Sequence, residues 1–244
     1  MKNEKITLDS LMFEITRRCN MKCEHCLRGE AQNMDISPEV IDKVLDKVDY
    51  IGQISFTGGE PSLKPDIMLY ILEKCQEKKI EVGSFYLATN AKEVSTQFLL
   101  ALLKWYAYCL ECSDEASYAC SLAPSADEFH EYVPDANWNL LKAFSFWSDN
   151  KVHSSNPNRK IIYEGRAKNL SPYDYNLVPL DDKSEISATL YSDGQIAFDS
   201  MIYVAANGDI KTSCDTAFDN DDYTVCNVLQ DEWFSMLINN CDFR

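Results

Sequence analysis

The chain has 244 residues, 45% of them hydrophobic and 25% charged, enough to bury a full core in one large domain or a domain with a small appendage. Its net charge of −16 comes from 23 Lys and Arg against 39 Asp and Glu, and no basic run offers the track that displaces counterions from a polyanion, which argues against a nucleic-acid partner. Met1 to Ser10 alternates charged and polar residues, and no later stretch is apolar for the length of a bilayer span, so a cytoplasmic, membrane-free protein is expected.

Leu11 to Thr16 predicts a strand. Ser37-Pro38-Glu39 then reads as a helix start, with Ser37 as N-cap, and Val40, Ile41, Val44, Leu45 and Val48 follow at helical spacing. A strand over Ile51 to Thr57, a helix over Pro65 to Lys79, a strand over Glu81 to Thr89 and a helix over Ser95 to Tyr106 continue the alternation. The rhythm loosens through a strand at Tyr118 to Leu122, a helix at Asp135 to Trp147 and a strand at Arg159 to Tyr163, with Lys151 to Asn158 expected as an exposed loop. Repeated strand–helix pairs imply right-handed crossovers and a parallel sheet covered by helices.

From about Ser184 the pattern changes. Ile186 to Tyr191 and Gln195 to Phe198 flank Ser192-Asp193-Gly194, and Met201 to Ala205 and Asp209 to Thr212 flank Asn207-Gly208, which predicts two hairpins, with a closing helix at Trp233 to Asn239. The expected fold is α/β, a partial (β/α)6 TIM-like barrel over residues 1–183 with a small hairpin-rich extension over 184–244. The segment Ser171 to Arg244 carries 14 acidic residues against Lys183, Lys211 and Arg244, which reads as a solvated surface.

Three of the ten cysteines crowd into eight residues, a distribution that in a reducing compartment points to metal rather than disulfides. Cys19-x3-Cys23-x2-Cys26 supplies three soft thiolates from one loop. On a four-iron cluster, three ligands leave one iron open. A zinc site completed by a distant cysteine is the structural alternative, since His25 stands too close to Cys26 to complete a tetrahedron with it comfortably.

Cys19-Asn20-Met21-Lys22-Cys23-Glu24-His25-Cys26 after a first strand, and Thr57-Gly58-Gly59-Glu60-Pro61 after a second, resemble the radical S-adenosylmethionine (radical SAM) superfamily, with decreasing strength from Leu11 to Asn169. The resemblance implies a [4Fe-4S] cluster on Cys19, Cys23 and Cys26, whose open iron is chelated by the methionyl group of S-adenosylmethionine. It implies that Thr57 to Pro61 line the methionyl amino group, with Gly58 and Gly59 allowing close backbone approach, and that His25 packs near the adenine. Thr89-Asn90 after the third strand, Ser125 and Asp127 (with His130) after the fourth, and Arg166 in Gly165-Arg166-Ala167 after the fifth stand where the family carries further cofactor contacts. The implied chemistry is reductive cleavage of S-adenosylmethionine to a 5′-deoxyadenosyl radical that abstracts a hydrogen atom, fed by a flavodoxin- or ferredoxin-type electron donor. No catalytic residue is assigned beyond these.

Asn207-Gly208-Asp209-Ile210-Lys211-Thr212-Ser213-Cys214, followed by Cys226-Asn227-Val228, resembles the start of the extensions that carry auxiliary iron–sulfur clusters in radical enzymes acting on peptides. Cys214, Cys226 and Cys241 are candidate ligands of a second cluster, with free buried thiols as the competing expectation. Three functional readings stand together: radical chemistry on a peptide or protein such as a precursor peptide, radical chemistry on a small metabolite or nucleotide, and a non-catalytic zinc-binding protein.

Overall fold

The computed structural model describes residues 5–148, 160–181 and 185–244. Strand β1 (Ile6–Thr16) runs through the middle of the sheet, and β2 (Val48–Gly58), β3 (Glu81–Thr89) and β4 (Ser121–Pro124) follow it on one side, each parallel to the last. The crossovers are helical: α1 (Pro38–Leu45), α2 (Pro65–Lys78) and α3 (Thr96–Cys112), with a short turn α4 (Ala116–Ala119) leading into β4. All four strands therefore end on the same edge of the sheet, and the loop carrying Cys19, Cys23 and Cys26 leaves β1 at that edge.

The helices begin where the sequence signals them. The Ser37 hydroxyl accepts a hydrogen bond from the Val40 N–H at 3.3 Å, and Ser95 accepts one from Phe98 at 3.1 Å. Val40, Ile41, Val44 and Leu45 of α1, and Phe98, Leu102 and Trp105 of α3, are buried against the strands.

Several boundaries differ from expectation: β1 starts at Ile6 rather than Leu11, and Val48, expected in the first helix, opens β2. Tyr118 lies in α4 rather than in a strand, because the Ser113 carbonyl and hydroxyl accept from Ala116 and Glu115 and wind the chain into a turn. The helix expected to reach Trp147 is α5 (Asp135–Lys142). Beyond it the Leu122 N–H donates to Phe146 and the Ser148 N–H to Leu122, so Trp147 bridges alongside β4 as a fragment of the next parallel strand. Helix α3 runs six residues past Tyr106, to Cys112. The loop expected at Lys151 to Asn158 falls outside the described residues.

Strands β5 (Lys160–Ile162) and β6 (Asn176–Val178) form a separate parallel pair, joined through a 3-10 turn at Gly165–Asn169. Strand β7 (Ile186–Leu190) and the long β8 (Ile196–Val204) make the first predicted hairpin, and β8 with β9 (Asp209–Lys211) makes the second, so the two inner arms are one continuous strand. β10 (Thr224–Asn227), α6 (Trp233–Asn239) and β11 (Cys241–Phe243) follow, with β11 parallel to β7. The hairpin region joins the main sheet directly: β8 lies parallel against β1, Leu11 facing Ile202 and Phe13 facing Val204. The result is a mixed α/β fold with a mostly parallel sheet, and among the described residues it does not close into a barrel.

Candidate active site

The carboxyl ends of β1 to β4 and the cysteine loop enclose a cavity of about 440 Å³. Its wall includes Cys19, Cys23 and Cys26, the run Thr57 to Pro61, and Asn90, Ser125 and Arg166, so residues drawn from five separate stretches of sequence meet at one place.

Four sets of contacts hold the cysteine loop. Gly59 and Glu60 donate their N–H groups to the carbonyls of Thr16 and Arg18, both at 2.8 Å. A side chain at Gly58 would place its Cβ 1.9 Å from the Thr16 carbonyl oxygen, and one at Gly59 would lie 2.1 Å from that of Arg18. The glycine pair is thus required by the close approach of the cysteine loop's own backbone. Asn90 Nδ2 donates to Asn20 Oδ1 at 2.9 Å, and Lys92 Nζ to the Asn20 carbonyl at 2.7 Å. On the far side, the Arg166 N–H donates to the Cys26 carbonyl and its Nε to the Cys23 carbonyl, both at 2.9 Å. Gly165 has φ +53°, and a Cβ there would sit 2.4 Å from Gly29 N and from the Leu27 oxygen.

Glu60 is buried at the floor of this arrangement. Its carboxylate accepts from the Thr89 hydroxyl at 2.7 Å, the Asn90 N–H at 2.9 Å and the Ser62 N–H at 3.1 Å, tying the end of β2 to the end of β3. Burial pushes its pKa up, against the opposing pull of these three donors. Burial likewise pushes the Cys19 thiol up to about 11.

The turn after β4 forms one wall. Ser125 donates its N–H to the Thr89 carbonyl at 2.8 Å. Asp127, its side chain fully screened from solvent, accepts from the Phe129 N–H at 2.9 Å, meets His130 Nδ1 at 2.6 Å and stands 3.4 Å from His25 Nε2. His25 stacks on Phe129 with ring centroids 4.6 Å apart. Burial alone would lower the His130 pKa, but hydrogen bonds to Asp127 and Cys23 outweigh it and push the ring up to about 9.

Several lining residues carry no motif in the sequence. Arg28 reaches the cavity with its guanidinium 5.2 Å over the Tyr203 ring and its Nη1 donating to the Thr216 carbonyl at 2.9 Å. The Tyr203 hydroxyl bonds to buried Glu14, which also takes Arg17 Nε at 2.6 Å and the Ala206 N–H at 3.1 Å. The one sequence signal was Glu14 itself, a carboxylate inside the apolar run from Leu11 to Ile15. Cys214 lines the same cavity, whereas Cys226 and Cys241 lie near one another at the β10–β11 end and contribute nothing to its wall. The three candidate ligands of a second cluster are therefore not gathered at one site.

Among the described residues, the one set of His, Cys, Asp or Glu ligand atoms lying mutually within 4.8 Å is that of His25, Asp127 and His130. Cys19, Cys23 and Cys26 all line the cavity.

Residues 13–107 match the Radical SAM superfamily. That segment of the chain is similar to the radical SAM family. Part of the chain also aligns with two curated proteins: an uncharacterized protein of Methanocaldococcus jannaschii, 29% identical over 85 residues, which are 33% of this chain and 30% of that protein, and GTP 3′,8-cyclase of Chlorobaculum tepidum, 34% identical over 65 residues, 25% of this chain and 20% of the cyclase. The chain thus matches under a third of the length of either relative. Among solved structures, histidine-tagged anSMEcpe with bound AdoMet superposes with a TM-score of 0.56 at 13% identity, covering 97% of this chain and 80% of that one, a likeness of fold. No described helix is long and apolar enough to cross a membrane.

Proposed function

We propose that the chain is a radical SAM enzyme, holding a [4Fe-4S] cluster on Cys19, Cys23 and Cys26 and S-adenosylmethionine in the cavity beside it. The observation that carries this reading is the meeting of the cysteine loop with Thr57 to Pro61, Asn90 and Ser125 around one cavity of about 440 Å³, within the range of small-molecule sites. When bound, the cluster supplies the electron that splits S-adenosylmethionine into methionine and a 5′-deoxyadenosyl radical able to abstract hydrogen.

The chain's own residues hold and shield that chemistry. Arg166 and Asn90 clamp the loop from opposite sides through Cys23, Cys26 and Asn20. Gly58 and Gly59 bring the end of β2 against that loop, leaving the edge of the run from Thr57 to Pro61 for the cofactor's methionyl group. Glu60 fixes the ends of β2 and β3 through Thr89, Asn90 and Ser62. His25, stacked on Phe129, offers a flat surface for adenine, and Met12, Phe56 and Tyr86 keep water from the reacting groups.

A peptide or protein side chain is the proposed hydrogen donor. The support is the segment Asn207 to Cys214, whose sequence resembles peptide-modifying enzymes and whose Cys214 and neighbouring Asp215 line the cavity. A flavodoxin- or ferredoxin-type protein is the proposed electron donor. The test is anaerobic reconstitution with iron and sulfide followed by reduction with S-adenosylmethionine. Brown protein releasing 5′-deoxyadenosine is expected, and colourless protein holding zinc overturns the reading. A precursor peptide encoded beside the gene that raises 5′-deoxyadenosine turnover supports the substrate class, and a small metabolite that does so in its place refutes it.

A further inference from the structure

The cavity has two sides, divided by β1. Thr57 to Pro61, Asn90 and Ser125 follow β2, β3 and β4, which all lie on one side of that strand. Strand β8 lies on the other, where Tyr203 is in register with Met12 of β1. Arg28, two residues past the last cysteine of the loop, reaches toward β8 and lines the cavity with Cys214 and Asp215.

Arg28 is held firmly on that side. Its carbonyl accepts from the Phe218 N–H at 3.1 Å, its guanidinium lies 5.2 Å over the Tyr203 ring, and Nη1 donates to the Thr216 carbonyl at 2.9 Å. These contacts use one amino group and one face of a planar group that carries five N–H donors. The Nε and Nη2 edge keeps the two parallel donors that a carboxylate accepts. Among the described residues no carboxylate forms an ion pair with Arg28. Glu14, bonded to Tyr203, pairs with Arg17 Nε at 2.6 Å, and Asp215 shares the cavity wall beyond ion-pair distance. Arg166, the other arginine of the wall, is committed to the Cys23 carbonyl and to Glu30, 3.4 Å from its Nη1. A protein with 39 Asp and Glu against 23 Lys and Arg has ample acid to pair with a half-buried guanidinium, yet this one lines a cavity instead.

We propose that Arg28 binds a carboxylate of the substrate and so sets which substrates the cavity accepts. The inference rests on the function proposed above, in which the cofactor's methionyl group lies along Thr57 to Pro61 and leaves the β8 side to the substrate. It narrows the substrate class to peptides that present a C-terminal carboxylate or an Asp or Glu side chain. The tethers to Thr216 and Tyr203 hold the guanidinium in place before the substrate arrives, which lowers the ordering cost of binding.

The test is arginine labelling with phenylglyoxal, read residue by residue by peptide mass spectrometry, on anaerobically reconstituted protein with and without S-adenosylmethionine. The competing probes are N-acetylglycine, which carries an α-carboxylate, N-acetylaspartic acid α-amide, which carries only a side-chain carboxylate, and N-acetylglycinamide, which carries none. With S-adenosylmethionine present, Arg28 labelling is expected to slow about tenfold at roughly ten times the half-protecting concentration of a carboxylate probe, as mass action requires of one site. The more protective of the two carboxylates identifies the source, a chain terminus or an acidic side chain. N-acetylglycinamide should leave the rate unchanged, and exposed Arg18 should label equally throughout. Arg28 that takes no label without a probe, or that is protected equally by the neutral amide, overturns the inference. Full protection by S-adenosylmethionine alone assigns Arg28 to the cofactor and overturns it too. Protein that takes up no cluster refutes the proposed function, whereas cluster-loaded protein whose Arg28 labels equally with and without the carboxylates refutes the inference alone.

Discussion

Two sets of three cysteines occupy this chain under different physical regimes. Cys19, Cys23 and Cys26 lie in one loop whose carbonyls and side chains are held by Gly59, Glu60, Asn90, Lys92 and Arg166, so the fold specifies where three thiols point. Cys214, Cys226 and Cys241 are spread along the hairpin region: Cys214 faces the cavity, Cys226 is buried in β10 and Cys241 bonds back to the Leu237 carbonyl. Cysteine number is the same in both sets. What differs is the network of backbone contacts that turns cysteines into a site, and without it a cysteine behaves as a small buried apolar residue.

The sharpest way to break this comparison is to remove one set at a time. Replacing Cys19, Cys23 and Cys26 with Ala should reduce iron after reconstitution from about four atoms per chain to none, as a four-iron cluster requires. Iron retained by that triple variant would place the cluster elsewhere. A smaller effect is expected from the scaffold. Gly165→Ala forces a Cβ to 2.4 Å from Gly29 N and the Leu27 oxygen at a φ of +53°, and should cost about 2–4 kcal/mol through strain and overpacking. Thermal melting would read this as a drop of roughly 5–15 °C, with loss of iron uptake, and an unchanged melting curve would show that the loop does not depend on that approach.

Glu60→Gln tests the link between the ends of β2 and β3. Its amide group must face at least one of the donors from Thr89, Asn90 and Ser62, leaving a buried donor unsatisfied at about 1–3 kcal/mol. Denaturant unfolding measures it, and an unchanged midpoint would contradict the role given to this carboxylate. The smallest effect should come from the second set. Cys226→Ala with Cys241→Ala is expected to leave iron content at about four and to cost about 1 kcal/mol in packing. Unsubstituted protein holding about eight irons that fell to about four in this double variant would restore the second cluster.

The same contrast explains what the sequence could and could not reveal. The cysteine loop and the run from Thr57 to Pro61 were legible because their chemistry is written in contiguous residues. The helices starting at Pro38 and Pro65 were legible from proline at the first position, and that at Pro38 also from its Ser37 cap. Contacts between distant segments left no such trace. The Tyr203–Glu14 bond joins residues 189 apart, and the parallel pairing of β8 with β1, which draws the hairpins into the main sheet, depends on matching two strands at opposite ends of the chain. The end of α5 escapes the sequence for a related reason: Phe144, Phe146 and Trp147 continue an apolar run, but Phe146 and Ser148 pair with Leu122 across the sheet edge. His130 could be placed after a strand by its spacing, yet its meeting with His25 depends on how the turn after β4 folds back over the loop after β1.

The most direct test of the central claim is the quantity of 5′-deoxyadenosine released when anaerobically reconstituted protein is reduced in the presence of S-adenosylmethionine. The predicted result is brown protein with about four irons per chain that forms 5′-deoxyadenosine, and none from the variant lacking Cys19, Cys23 and Cys26. Protein that binds iron yet releases no 5′-deoxyadenosine, or a triple variant that still releases it, would contradict the claim that these three cysteines build a radical site.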